Sequence, residues 1–102
     1  MNSEKVKEII EKQCYDVLYL KDQYEQLVKT VQTSAIKLDT ESQFYVGYIV
    51  TKSEEMKVVY NEYLSTKFNL RQIVHALGDE YVEMMDNILK GGIVMTIWLN
   101  RN

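Results

Sequence analysis

The stretch from Val6 to Val31, VKEIIEKQCYDVLYLKDQYEQLVKTV, decides the fold. Val6, Ile10, Gln13, Val17, Leu20, Tyr24, Leu27 and Val31 recur at spacings of 4, 3, 4, 3, 4, 3 and 4. An apolar residue that returns every ~3.5 positions keeps one face of a helix turned toward a partner helix. Only Gln13 interrupts the line. Cys14, Leu18 and Val28 flank the seam, and Tyr15 and Tyr19 lie further round. A surface that wide predicts contact with a third element as well as with one partner. On the outer side, Glu8–Lys12, Lys21–Glu25 and Glu25–Lys29 have the i,i+4 spacing of helix-supporting ion pairs.

This first helix is expected to begin at Asn2 or Ser3 and to end near Thr33, with a turn over Ser34–Asp39. Thr40 and Gln43 then have the spacing of a capping box, with Asp39 as the competing cap. A second helix is expected to run to about Thr66, with Tyr45, Ile49, Ser53, Met56, Tyr60, Tyr63 and Lys67 approximating its seam. Asn69, with Gln72 three residues on, reads as the cap of a short third helix carrying Leu70, Ile73, Val74 and Leu77. Gly78 can end it in the left-handed conformation. Asp79 can cap a fourth helix with Val82, Met85, Ile88 and Leu89 inward. Gly91-Gly92 stops it, and residues 93–99 form a tail, apolar at six of seven positions. The chain contains no proline, which favours long uninterrupted helices. The expected fold is therefore all-α: a long antiparallel, coiled-coil-like hairpin over residues 1–66, and a subregion 67–102 with two shorter helices and an apolar tail. The whole forms one helical domain.

Composition narrows function mainly by exclusion. The net charge is −3, so the phosphate backbone of nucleic acid is a disfavoured partner. No run of 18 apolar residues is present, so no membrane span is expected. The N-terminus has no apolar leader, and Cys14 is the single cysteine, which together point to the reducing cytoplasm. Cys14 reads as a small apolar filler. His75, the only histidine, has no ligand or nucleophile spaced to join it. Glu54-Glu55 and Asp79-Glu80 are sequence neighbours, about 100° apart on a helix, and do not converge as an acid–base pair. No phosphate-binding glycine loop or metal-ligand motif occurs. No catalytic residue, cofactor or metal is expected.

What remains points to binding. Eight tyrosines are many for 102 residues, and tyrosine suits interfaces through its area and its hydroxyl. Tyr24, Tyr45, Tyr60 and Tyr63 are expected in the seam. Tyr15, Tyr19, Tyr48 and Tyr81 are harder to bury together. The segment Leu70-Arg-Gln-Ile-Val-His-Ala-Leu-Gly78 and the helix after it resemble a helix-turn-helix. Its place after a long hairpin is similar to that in small phage-type transcription regulators with a sigma-region-4-like C-terminal motif. That resemblance implies DNA reading through Arg71, His75 and lysines of the first helix. The sequence departs from it where bases would be read: Asp79, Glu80, Glu83 and Asp86 precede any basic residue of that helix, and such a helix is repelled by DNA. The expected function is thus a non-enzymatic interaction module, a small phage- or plasmid-type regulator or inhibitor that binds a basic protein surface. A DNA-binding regulator and a structural oligomer are the competing expectations. Candidate partner contacts are Tyr15, Tyr19, Tyr81, Glu80, Glu83, Asp86 and Trp98, and a homodimer is expected from the length of the first helix.

Overall fold

A computed structural model describes residues 3–91, with side chains described outside 38–44. The described chain is all-helical: α1 spans Ser3–Ile36, α2 spans Leu38–Leu77 and α3 spans Asp79–Lys90. Two compact units are present. Unit 1 is Met1–Tyr19 with Tyr63–Asn102, and unit 2 is Leu20–Glu62. Trp98 and the expected apolar tail lie outside the described residues.

The α1 seam forms as its spacing predicts, but its burial is graded. In unit 1, Val6, Ile10 and Val17 are buried with Cys14 against Leu70 and Val74 of α2 and Met85 of α3. In unit 2, Leu20, Tyr24, Leu27 and Val31 are only half-buried. The wide apolar surface of α1 does meet a third element. Tyr15 and Leu18 are buried together, with Ile88 and Leu89 of α3 packed on them.

Three boundaries differ from the sequence reading. The turn expected over Ser34–Asp39 contracts to Lys37 alone, whose N–H donates to the Ser34 carbonyl at 3.1 Å. This tighter i→i+3 bond satisfies one of the terminal carbonyls that an α-helix leaves open. Because α2 begins at Leu38, Thr40 is not its cap, and the side chains of the expected capping box lie outside the description. The break expected between Thr66 and Asn69 is absent, so one C-terminal helix follows the long pair where two were expected. The reason lies in register. Tyr63, Lys67, Leu70, Val74 and Leu77 continue the spacing of the upstream seam without a phase change. Leu70 and Val74 are 1% and 0% exposed. Their burial outweighs the weak capping preference of Asn69, and Lys67, inside the expected break, donates from Nζ to Tyr63 Oη one turn back at 3.2 Å.

Gly78 alone joins α2 to α3. Its φ of 122° and ψ of 172° lie in a region essentially restricted to glycine, not in the left-handed helical region expected of it. Its N–H donates to the Val74 carbonyl at 3.0 Å, closing α2. Its carbonyl accepts from Tyr81 at 3.0 Å and Val82 at 3.3 Å, opening α3. Gly78 is therefore the cap of α3, Asp79 is its first residue, and no side chain caps it. A Cβ at Gly78 or at Gly47 would meet nothing within 4 Å, so the two differ only in backbone. Gly78→Ala is expected to cost ~1–3 kcal/mol through strain. Gly47→Ala, inside α2, should stabilise by ~0.5–1 kcal/mol. Urea melts of the two variants check both signs.

Candidate interaction surfaces

α3 is amphipathic because Val82, Met85 and Leu89 recur at helical spacing, and that face closes the core of unit 1. Met85 is buried, and Tyr81, Val82, Ile88 and Leu89 are half-buried. The opposite side leaves Asp79, Glu80, Glu83 and Asp86 exposed. These four carboxylates are not equivalent. Asp79 and Glu80 occupy the first turn, where the partial positive charge of the helix start favours them. Glu80 also bridges to Lys7 of α1 at 3.1 Å. That hydrogen bond, followed by the charge of Glu80, holds the Lys7 ammonium above its ordinary value of 10.5. The contribution of the bridge is thus present at neutral pH and lost only as pH rises past the usual lysine range. Both side chains are well exposed, so solvent screens the pair. Glu83 and Asp86 lie beyond the first turn and make no ion pair among the described residues.

The tyrosines proposed as contacts separate. Tyr15 is 6% exposed, and Ile88 and Leu89 cover it. It is a core residue and not a surface contact, because α3 occupies the flank of α1 on which it projects. Tyr19 is 41% exposed, and Tyr81 is half-buried against the core. Arg71 and His75 are exposed on the last turns of α2. The link between α2 and α3 is one residue, shorter than the three- or four-residue turn of the motif that Leu70–Gly78 resembles.

In unit 2, Tyr24 and Tyr60 meet with ring centroids 5.0 Å apart. Beside them lies a groove of about 510 Å³ between Leu27 of α1 and Thr51, Glu54, Glu55, Val58 and Val59 of α2. The sequence reading did not mark this groove. Its signal is Val58, an apolar residue on a stripe otherwise made of Thr51, Glu54, Glu55 and Glu62.

No three His, Cys, Asp or Glu residues gather as a metal site among the described residues. The Cys14 thiol is buried at 0% exposure. Burial, then the charge of Glu11, pushes its pKa from 9.0 up to about 11, so it stays protonated at neutral pH. Ellman's reagent should leave it unmodified in native protein at neutral pH and label it after denaturation. The neutral thiol is favoured by folding, so its contribution is full below pH 9 and is lost as pH rises toward 11.

No described helix is long and apolar enough to cross a membrane. In comparisons with known proteins, no family model, curated protein or solved structure matches the chain.

Proposed function

We propose that the protein is a non-enzymatic binding module, a small cytoplasmic regulator or inhibitor whose α3 presents an acidic face to a basic protein surface. The observation that carries this reading is the position of Glu83 and Asp86. Folding accounts for Asp79 and Glu80 through the helix start and the Lys7 bridge. Glu83 and Asp86 do neither job, yet both are exposed and stand three residues apart on one side of α3, Glu83 nearly opposite buried Met85 and Asp86 on the flank. A carboxylate pair with no ion-pair partner among the described residues supplies steering and register for a cationic partner at little cost to the fold. The scaffold in this reading is an antiparallel, coiled-coil-like pairing of α1 with α2. The one-residue connection at Lys37 and the Tyr24–Tyr60 contact support it within unit 2. The test is a pull-down with wild-type protein and with the double variant Glu83→Lys/Asp86→Lys, beside a gel shift at low salt. A specific protein captured only by the wild type supports the reading. A gel shift strengthened by the charge reversal and lost in Arg71→Ala favours DNA reading instead.

Self-association is a second reading, and exposed apolar side chains on α2 favour it. Val46 and Val50, one turn apart in unit 2, are each 52% exposed, and in unit 1 Leu64 and Phe68 are 44% and 62% exposed. Light scattering is expected to give about twice the 12.0 kDa chain mass at high concentration. A monomer that persists there removes this reading and leaves the α3 proposal standing.

A further inference from the structure

The groove in unit 2 is lined by the apolar Leu27, Val58 and Val59, the neutral Gln23 and Thr51, and the carboxylates Glu54 and Glu55. Val58 is 65% exposed although it is among the most apolar side chains on its face of α2. It shares the groove with Leu27 and Val59. Glu54 lies four residues before Val58 and Glu62 four residues after it, so one carboxylate stands about one helical turn, ~5–6 Å, to either side. Glu55 flanks the same stripe but is held by Lys52 at 3.2 Å. Glu54 and Glu62 make no ion pair among the described residues. No cation stands between Glu54 and Glu62 on the Thr51–Glu62 stripe itself, since Lys57 projects about 100° away.

We propose that this groove is a docking site for a helical segment of a partner protein that inserts one apolar side chain onto Val58 and Leu27 and sets Lys or Arg one turn to each side. The groove, about 510 Å³, has more than enough room for one apolar anchor, whose burial would remove Val58 and Leu27 from water together. The flanking cations would meet Glu54 and Glu62 at matching separations, which fixes the register of the inserted segment. A second copy of this chain is the poorer occupant. A groove edged by carboxylates on one molecule meets a chain of net charge −3 on the other. The site lies wholly within unit 2 and does not rest on the reading of α3.

The probe is an alanine-rich helical peptide with a single leucine and a lysine four residues to each side of it. Titrated into isotopically labelled protein, it should shift the amide resonances of Leu27, Thr51, Val58 and Val59. Replacing the peptide's leucine by serine, or its lysines by glutamate, should weaken binding about tenfold or more, as should Val58→Ser in the protein. Val58 is exposed, so that variant should keep its melting temperature, and Glu83→Lys/Asp86→Lys should bind the peptide as the wild type does. Equal affinity for all three peptides, or shifts confined to α3, would overturn the proposal. So would the same resonances shifting on concentration of the protein alone, which would make the groove a self-interface.

Discussion

Replacing Leu70 by alanine should destabilise the protein by ~2–5 kcal/mol, a large share of the ~5–15 kcal/mol available to a small domain. Leu70 is 1% exposed and packs in a cluster drawn from all three helices: Val6, Ile10, Cys14 and Val17 from α1, Val74 from α2 and Met85 from α3. The vacated space cannot collapse from one side without moving the other helices, so the cavity penalty adds to the lost burial. Ile10→Ala should behave alike, for the same reason. Phe68→Ala, two residues away on the same helix but 62% exposed, should change stability by no more than ~0.5 kcal/mol. Thermal and urea melts of the three variants check the contrast. Leu20 and Leu27 belong to the same heptad seam as Ile10. Their partial exposure lowers the expected cost to ~1–2 kcal/mol each. If Leu70→Ala melts with the wild type, the three-helix core is wrong.

The second large effect concerns binding rather than stability. Glu83→Lys with Asp86→Lys should leave the fold nearly intact, since both are exposed and neither forms an ion pair among the described residues. The pair changes the charge of one helix face by four units. Association with a basic partner should slow about tenfold or more at low ionic strength. The difference should narrow as salt rises, because surface charge is screened beyond ~8 Å at physiological ionic strength. Glu80→Gln should have a smaller effect on association, because Lys7 already neutralises that carboxylate.

Which parts of this were legible in the sequence follows from what periodicity records. Spacing of Val6, Ile10 and Val17 shows which face of α1 is covered, and that face is buried. Spacing does not show how deeply, so Leu20 and Leu27 read the same as Ile10. The continuity of α2 was written in the phase of Tyr63, Lys67, Leu70 and Val74. Asn69 and Gln72 concealed it, because a capping pair looks the same at a helix start as inside a helix whose packing overrides it. Tyr15 looked free because the spacing that predicts a third element does not show which side chains that element covers. Ile88 and Leu89, more than seventy residues away, cover it. The acidic face of α3 was visible as composition. Its division into Glu80, held by Lys7, and Glu83 with Asp86, left over, needed the fold. The groove at Val58 needed both helices of unit 2, since neither Leu27 nor Val58 alone marks a concave surface.

The central claim is that the α3 face engages a basic protein. Its most direct test is the association rate of the captured partner with wild-type protein and with Glu83→Lys/Asp86→Lys, each at low and at high salt. The account predicts slower association for the variant at low salt, a gap that closes at high salt, and an unchanged melting temperature. Equal association rates for the two proteins at low salt would contradict it.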